Sequence, residues 1–437
     1  MTNKIYPKNV LETLSKYMLV DGFDLVFDAE ESHGSYLYDS KYNKEYLDFF
    51  TFFASSPIGF NHPKMNNEEF IKKIGKVSIH KPSNSDIYTV EMAEFVDTFG
   101  TIAKPDFMKY LFFVSGGALA VENALKTAFD WKIRKNLKKG KGEKGTKVIH
   151  FKHAFHGRSG YTLSMTNTFD PRKTKYFPKF NWPRVESPAL KFPITDEEIK
   201  RVEKEEEKII NEIKDILLKD GDDIAALILE PIQAEGGDRH FRKEFFKKLR
   251  EITLESEIMF ILDEVQTGMG LTGKFWCFEH FDIKPDIVAF GKKSQICGIM
   301  CSDRVDEVEN HVFAESSRIN STWGGSLTDM VRATRILQII DEEKLVENAK
   351  IIGEFLLDEL KKIESKKISN IRGRGLMIAF DLESTEKRDR MFDKLFENGL
   401  FSIKCGEKSI RFRPPLNLTK DDALKGVSIV EKSLKEI

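Results

Sequence analysis

The feature of this chain that most limits its fold is an alternation between short apolar runs and helical patterns. Apolar runs of four or five residues bounded by polar residues are typical of buried strands. Helical patterns separate several of these runs, for example over residues 118–131 and 242–255. Strands that alternate with helices predict an α/β fold with a mostly parallel central sheet. The predicted strands are residues 110–114, 148–151, 225–229, 259–262 and 287–290.

The pattern changes near residue 335, which indicates a second structural unit. A long helix is predicted over residues 345–363, followed by strand-like runs at 376–382 and 409–412. We expect this part to form a smaller α+β unit. A length of 437 residues suits a large domain with a smaller partner.

Charge and composition argue against several classes of partner. The chain has 69 Lys and Arg against 70 Asp and Glu, a formal net charge of -1, which predicts neither a nucleic-acid nor a membrane-surface partner. No stretch approaches the ~20 apolar residues of a membrane span, and the N-terminus lacks the apolar core of a signal peptide. We expect a soluble, cytoplasmic protein with unpaired thiols. The cysteines are Cys277, Cys297, Cys301 and Cys405.

A candidate phosphate-binding turn follows the first predicted strand. Residues 115–118 read Ser-Gly-Gly-Ala and begin a helical pattern. Small residues let the backbone approach an anion, and a helix N-terminus presents unpaired N–H groups. An ordinary turn with a helix cap explains the same residues, so both interpretations stay open on this evidence.

An acid and a lysine follow two later strands. Asp263 comes directly after residues 259–262, and Lys292 follows residues 287–290 after one glycine. A carboxylate can keep a pyridinium nitrogen protonated, and a lysine amine condenses with an aldehyde. Desolvation at a buried strand end would activate an amine whose free pKa is about 10.4. A structural salt bridge between Asp263 and Lys292 fits the same spacing.

Two other patterns give weaker predictions. Residues 268–273 fit G-x-G-x-x-G, but they lie away from the strand end and open no clear helix, which disfavours a dinucleotide site. The histidines His150, His153 and His156 are spaced by three residues. On a strand followed by a loop they would not share a face, and nothing nearby completes a ligand set, so we expect no metal.

Together these residues resemble the class III, fold-type I pyridoxal-phosphate aminotransferases. The most specific match is Ile-Leu-Asp-Glu-Val-Gln-Thr-Gly at residues 261–268, with Lys292 29 residues after Asp263. The match covers nearly the whole chain. Its other segments are residues 59–63, 115–118, 155–158, 230–231 and 321–322.

The resemblance implies an architecture and a cofactor. A large domain, residues 59–333, would hold the mostly parallel sheet, and residues 334–437 would form a small α+β domain joined by residues 1–58. The cofactor would be pyridoxal 5'-phosphate. The resemblance also implies a homodimer with shared active sites.

The resemblance implies cofactor contacts residue by residue. Lys292, rather than its neighbour Lys293, would form the Schiff base, and Asp263 would pair with the ring nitrogen. The remaining contacts would be Gln266 at the ring hydroxyl, Phe155 stacked on the ring, Ser115, Gly117 and Ala118 at the phosphate, and the partner subunit's Thr322 at the same phosphate.

Within the class the chain most resembles the lysine 6-aminotransferases, which implies L-lysine and 2-oxoglutarate as substrates. The products would be L-glutamate and 2-aminoadipate 6-semialdehyde, which cyclises to 1-piperideine-6-carboxylate. The segments that indicate this are residues 52–57, 153–161, 233–238 and 289–293.

The resemblance also implies two arginines that bind substrate carboxylates, a role that suits guanidinium because it binds carboxylate bidentately. Arg158 would bind the α-carboxylate of lysine and Arg413 that of the keto acid, beside Gln266. Glu235 would act as a gate that pairs with Arg413 while lysine is bound. Taken alone, Arg413 also suits a surface ion pair on an edge strand.

Two departures from the family pattern leave the shape of the pocket open. The residues around Lys292 lack a glycine run, and Ala234 stands where glycine is expected. Another ω-aminotransferase, acting on ornithine, 4-aminobutyrate or a diamine, therefore stays an alternative. A racemase of the same fold is a further alternative, although it would need no keto-acid site.

Overall fold

A computed structural model describes residues 4–437, which form fifteen strands in three sheets. The strands are β1 (Phe27–His33), β2 (Tyr36–Asp39), β3 (Lys44–Asp48), β4 (Met108–Val114), β5 (Lys147–Phe151), β6 (Arg184–Val185), β7 (Ile224–Leu229), β8 (Met259–Asp263), β9 (Ile287–Phe290), β10 (Cys297–Ser302), β11 (Ile368–Arg374), β12 (Met377–Leu382), β13 (Leu400–Phe401), β14 (Ile403–Cys405) and β15 (Ser409–Phe412).

Twelve α-helical segments occur in the same residues besides short 3-10 helices, and one of the twelve, α2, is a single left-handed turn. They are α1 (Val10–Ser15), α2 (Thr51–Ala54), α3 (Glu68–Ser78), α4 (Val90–Ile102), α5 (Gly117–Lys138), α6 (Gly160–Met165), α7 (Asp196–Asp220), α8 (Lys243–Glu255), α9 (Leu327–Glu342), α10 (Leu345–Lys361), α11 (Thr385–Glu397) and α12 (Lys420–Glu436). None of the helices described for residues 4–437 is both long and apolar enough to cross a bilayer.

The central sheet has the order β4-β10-β9-β8-β7-β5-β6. Strands β5 to β9 pair in parallel where they are neighbours, for example Leu262 of β8 opposite Val288 of β9. Strand β10 is antiparallel to both β4 and β9. The predicted α/β fold with a mostly parallel sheet is confirmed, with one antiparallel strand that the apolar pattern did not reveal.

The sheet is buried on both faces because helices cover each side, as a parallel sheet requires. On one face, Ile228 and Ile261 pack in the same apolar cluster as Trp131 of α5. On the other face, Leu227 and Phe260 belong to the cluster that contains residues of α4 and α8. Strands β7 and β9, in the interior of the sheet, are apolar throughout for this reason.

Strands from both ends of the chain share a second sheet, with the order β1-β2-β3-β13. Leu400 of β13 pairs in parallel with Leu47 of β3. The third sheet, β11-β12-β15-β14, is antiparallel and carries the C-terminal arginines. The predicted domain boundaries stay predictions, and the one between residues 333 and 334 falls within α9.

Candidate active site

The predicted site residues lie at one edge of the central sheet. Because β10 is antiparallel to both of its neighbours, β4 runs in the same direction as β9. The carboxyl ends of β4, β7, β8 and β9 therefore meet at one edge, where ligands bind in open α/β sheets. This arrangement brings together Ser115, Glu230, Asp263 and Lys292.

The turn before α5 has the shape of an anion cradle. Gly116 has a φ of 107°, which favours glycine, and Gly117 begins the helix. A Cβ at Gly157, whose φ is 123°, would lie 2.5 Å from the Cβ of Ala118. Only glycine lets the loop that follows β5 lie this close to the helix N-terminus, where unpaired N–H groups attract anions.

Asp263 is held by a histidine that sequence reasoning did not assign. The Nδ1 of His156 donates to Oδ2 of Asp263 at 2.8 Å, and the backbone N–H of Val265 donates to Oδ1 at 3.1 Å. Burial alone would lower the pKa of His156, but the bond to Asp263 raises it. The sequence signals for His156 were its place in the family segment 155–158 and its place in the histidine series for which no metal was expected.

A second buried acid fixes the loop that carries Phe155. The Glu230 carboxylate accepts from the backbone N–H groups of Phe155 at 2.9 Å and Ala234 at 3.1 Å. Burial raises the pKa of Glu230 to about 7. The positions of the predicted ring-stacking residue and of the loop before Glu235 are thus set by one side chain.

The adjacent lysines Lys292 and Lys293 have different surroundings. The Nζ of Lys292 lies 3.3 Å from the carbonyl of Phe53, in the cleft. Desolvation, with Arg411 and Arg413 nearby, lowers the pKa of Lys292 to about 8.

Lys293 is enclosed instead. It is 2% exposed, and its Nζ donates to the carbonyl of Gln266 at 2.8 Å and to that of Ala54 at 3.3 Å. This difference favours Lys292 as the reactive amine.

The left-handed turn α2 brings a carbonyl to Lys292. All four of its residues have positive φ, a conformation that costs roughly 1–2 kcal/mol per residue. The turn is held because Asp48 Oδ1 accepts from the backbone N–H of Thr51 at 2.9 Å. The Thr51 hydroxyl in turn donates to the carbonyl of Arg413 at 2.6 Å.

The predicted pairing of Glu235 with Arg413 is wrong. Arg413 is completely buried and binds Asp238 through Nη1 at 2.9 Å and Nη2 at 2.5 Å. Glu235 instead binds Arg411, with Oε2 and Nη2 2.9 Å apart. The physical reason is that Asp238 already neutralises Arg413. Because this pair is buried, Arg413 also does not form the surface ion pair that its sequence position alone suited.

Glu235 has a second cationic partner. Its Oε1 forms an ion pair with the Nζ of Lys173, at the end of a short 3-10 helix, Pro171–Lys173. Burial alone would raise the pKa of Glu235, but the charges of Arg411 and Lys173 hold it below its usual value. Sequence reasoning missed Lys173, because it lies in a polar loop without any motif.

Gln266 lies between the two arginines. Its Oε1 accepts from Arg411 Nη1 at 3.2 Å and from Arg413 Nε at 3.1 Å. Since arginine only donates, the Gln266 amide NH₂ faces away from both and is available to a ligand. The Nε of Arg411 is buried without a partner among residues 4–437. A ligand acceptor would satisfy it.

Two further predicted residues are exposed. Arg158 forms no ion pair with any residue of the described range 4–437. Thr322 is exposed as well, and its carbonyl accepts from the hydroxyls of Ser83 and Ser85 at 2.5 and 3.2 Å. Both side chains are therefore accessible to a ligand or to another chain.

The weaker sequence patterns have structural explanations. Within residues 4–437, no group of three or more His, Cys, Asp or Glu side chains could hold a metal ion. In the glycine-rich segment 268–273, a Cβ at Gly268 would lie 2.5 Å from the Trp276 ring, and one at Gly273 would lie 2.8 Å from Lys350. These glycines allow close packing rather than phosphate binding.

The arrangement fits pyridoxal phosphate. Gly117 cannot carry a side chain easily, because its Cβ would lie 3.0 Å from Val265, and this keeps the cradle open for a phosphate. Asp263 offers a buried carboxylate, and Lys292 an amine of lowered pKa. We infer that Lys292, Asp263 and the first turn of α5 would hold the cofactor, with Phe155 at the ring.

Known proteins match this chain over nearly its whole length. The family model for aminotransferase class-III matches residues 18–434. The chain is 47% identical over 433 residues to an L-lysine-epsilon aminotransferase of Mycobacterium tuberculosis, covering 98% of this chain and 96% of that protein. It is 43% identical over 433 residues to an L-lysine-epsilon aminotransferase of Amycolatopsis lactamdurans, with the same coverage.

A solved structure agrees with the sequence comparisons. A lysine aminotransferase from M. tuberculosis in the internal aldimine form superposes with a TM-score of 0.96 at 46% identity, covering 99% of this chain and 100% of that chain. The fold-type I architecture and the family predicted from the sequence are confirmed. The chain belongs to the class III aminotransferase family, whose cofactor is pyridoxal phosphate.

Proposed function

We propose that this enzyme transfers the ε-amino group of L-lysine to 2-oxoglutarate. The products would be L-glutamate and 2-aminoadipate 6-semialdehyde, which cyclises to 1-piperideine-6-carboxylate. The observation that carries the proposal is the pairing of Glu235 with Arg411. Arg411 can bind a substrate carboxylate, and in this state the Glu235 carboxylate occupies it. The high identity to L-lysine-epsilon aminotransferases supports lysine as the donor.

Lys292 would act first as the nucleophile and then as the base. A pKa of about 8 leaves an appreciable fraction of neutral amine near neutral pH. Its Nζ would then remove a proton from the ε-carbon of the donor and return a proton later. Pyridoxal phosphate supplies the aldehyde and the electron-withdrawing ring when bound. Asp263, fixed by His156, would keep the ring nitrogen protonated.

The same geometry supports the other proposed cofactor contacts. The free NH₂ of Gln266 can donate to the ring hydroxyl, because its Oε1 is held by the two arginines. Ser115, Gly117 and Ala118 would bind the phosphate at the start of α5.

The two substrates differ in their number of carboxylates, and the charged groups suit both. Lysine has one carboxylate, which would bind the exposed Arg158 while Glu235 covers Arg411. The keto acid 2-oxoglutarate has two, and its α-carboxylate would replace Glu235 on Arg411. We assign this role to Arg411 rather than Arg413, because Asp238 occupies the Arg413 guanidinium.

A donor panel with 2-oxoglutarate tests the proposal. We expect glutamate to form faster with L-lysine than with L-ornithine, 4-aminobutyrate or a diamine. Faster turnover of any of these three would assign the chain to another ω-aminotransferase. Absence of glutamate with every donor, together with loss of optical activity of an amino acid, would indicate a racemase.

We also propose a homodimer in which the partner subunit's Thr322 completes each phosphate site. The exposed position of Thr322 supports this, as do exposed apolar side chains, among them Ile79, Ile87 and Trp323. Such side chains suit a subunit interface.

Subunit complementation tests the homodimer. Lys292→Ala chains mixed with Thr322→Val chains should regain one wild-type site per mixed dimer, and activity should rise above that of either variant. Unchanged activity after verified subunit exchange would contradict a shared site.

We place the enzyme in the cytoplasm. Its four cysteines are unpaired thiols, which a reducing compartment preserves. Fractionation of the producing cells, with a periplasmic or secreted marker as control, checks this location.

A further inference from the structure

The Glu235 carboxylate is held by two cations, one on each oxygen. Oε2 binds Arg411 Nη2 at 2.9 Å, and Oε1 binds Lys173 Nζ. The Arg411 pair is the gate contact of the proposed function. The Lys173 contact is an additional one, and nothing in the proposed reaction requires it.

The two cations differ in mobility. The Arg411 side chain is 2% exposed, lies on β15 and is also fixed by Gln266. The Lys173 side chain is 24% exposed and extends from a polar loop on a flexible four-carbon stem. A displaced Glu235 can therefore keep its bond to Lys173 while it leaves Arg411.

Lys173 also lies beside the substrate space. Its Nζ is 5.9 Å from the centre of the Phe155 ring, which would stack on the cofactor. The cluster of Lys173, Glu235 and Arg411 carries a net charge of +1 from its three ionised groups. With Glu235 on Lys173, the charge of Arg411 is left for a second carboxylate.

We propose that Lys173 is a positioning residue that receives Glu235 when the α-carboxylate of the keto acid binds Arg411, and so strengthens binding of the acceptor without strengthening that of lysine. This inference rests on the proposed function, in which both substrates use one site. Without Lys173, Glu235 would have to move into partial solvent with no counter-charge. Glu235 would then stay on Arg411 and compete with the acceptor.

The alternative is a purely structural ion pair that orders the loop after α6. Partly exposed pairs of this kind stabilise proteins weakly. A structural role predicts a change in thermal stability, and equal changes in the KM values for both substrates. A positioning role predicts a selective effect on binding of the acceptor, relative to lysine, that depends on Glu235.

The experiment compares Lys173→Met, Lys173→Arg and the control Lys175→Met in the holoenzyme. Lys175 is exposed in the same loop, beside Tyr176. We expect Lys173→Met to raise both the KM for the acceptor 2-oxoglutarate and the calorimetric Kd for glutarate about fivefold to tenfold. The KM for lysine should change less than about twofold. Lys173→Arg should restore wild-type values, and Lys175→Met should match them.

A double-mutant cycle with Glu235→Ala decides between the two roles. In the Glu235→Ala background, Lys173→Met should leave the Kd for glutarate unchanged, because the carboxylate that Lys173 would hold is absent. The same loss of glutarate affinity in both backgrounds would overturn the proposal, as would equal changes in both KM values. Glutarate binding does not require lysine turnover. The glutarate measurement therefore tests the role of Lys173 even if the amino donor is not lysine.

Discussion

Arg413 and Asp238 form a completely buried ion pair, with Nη1 and Nη2 of the arginine 2.9 and 2.5 Å from the two carboxylate oxygens. This pair occupies the guanidinium that the family resemblance had suggested for the acceptor. It leaves Arg411, two residues earlier, as the arginine whose acidic partner can move.

Loss of one member of the buried pair should destabilise the fold. Asp238→Asn leaves the Arg413 charge enclosed without a counter-charge, and we expect the free energy of unfolding to fall by about 3 kcal/mol. Urea denaturation monitored by circular dichroism measures this change. Asp170→Asn, which removes an exposed pair with Arg172, should leave the unfolding transition unchanged. An unaltered midpoint for Asp238→Asn would show that the pair contributes nothing to stability.

Substitution of Arg411 and of Arg158, the two arginines proposed to bind carboxylates, should change the KM values for the two substrates in different ways. Arg411→Met should raise the KM for the acceptor 2-oxoglutarate about 30-fold or more, because a bidentate charged contact is lost. The KM for lysine should change much less. Arg158→Met should raise both KM values in steady-state assays with both substrates varied, because the distal carboxylate of 2-oxoglutarate would bind Arg158 as the carboxylate of lysine does. If Arg411→Met affected both KM values equally, the assignment of Arg411 to the acceptor would be wrong.

The lowered pKa of Lys292 has a direct consequence for cofactor capture. Since only the neutral amine attacks an aldehyde, the rate at which apoenzyme binds added pyridoxal phosphate should rise with pH. The midpoint should lie near pH 8, rather than near the 10.5 of an ordinary lysine. Borohydride reduction and peptide mass spectrometry should locate the cofactor on Lys292. Cofactor found on Lys293 in the wild-type protein would refute the assignment.

The buried carboxyl group of Asp48, which accepts a hydrogen bond from the left-handed turn α2, should make stability depend on pH. Burial raises the pKa of Asp48 from 3.8 to about 7. The folded state therefore keeps a proton that the unfolded state releases, and stability falls as the pH rises between these values.

Asp48→Asn should abolish the part of the pH dependence of stability that Asp48 contributes, because the amide does not titrate. The Oδ1 that accepts from Phe50 and Thr51 is retained in the variant. Relative to wild type, we expect a gain on the order of 4 kcal/mol between about pH 4 and about pH 8. Thermal denaturation across this range measures it, and parallel curves for the two proteins would exclude Asp48 as the source.

The sequence predicted the parts of the site that depend on which residues follow each strand along the chain. Asp263 and Lys292 directly follow apolar runs, and strand ends in a parallel sheet meet at one edge. The cradle before α5 was predictable for the same reason. Strand β10 was not, because Cys297–Ser302 mixes glycine and serine with apolar residues and lacks a strand pattern.

The contacts between distant segments could not be predicted in the same way. Arg411 and Arg413 are two residues apart, and only tertiary structure shows that Asp238, 175 residues earlier, encloses the second. The bond between Lys173 and Glu235 joins two loops that no local pattern relates. The left-handed turn α2 is likewise held in part by a distant contact, the carbonyl of Arg413, in addition to the local contact of Asp48.

The most direct test of the proposed reaction follows the nitrogen itself. The enzyme is incubated with 2-oxoglutarate and with lysine carrying ¹⁵N at either the ε or the α position, and the glutamate is analysed by mass spectrometry. We expect labelled glutamate from ε-labelled lysine and unlabelled glutamate from α-labelled lysine. Label transferred from the α position would contradict the proposed transfer of the ε-amino group.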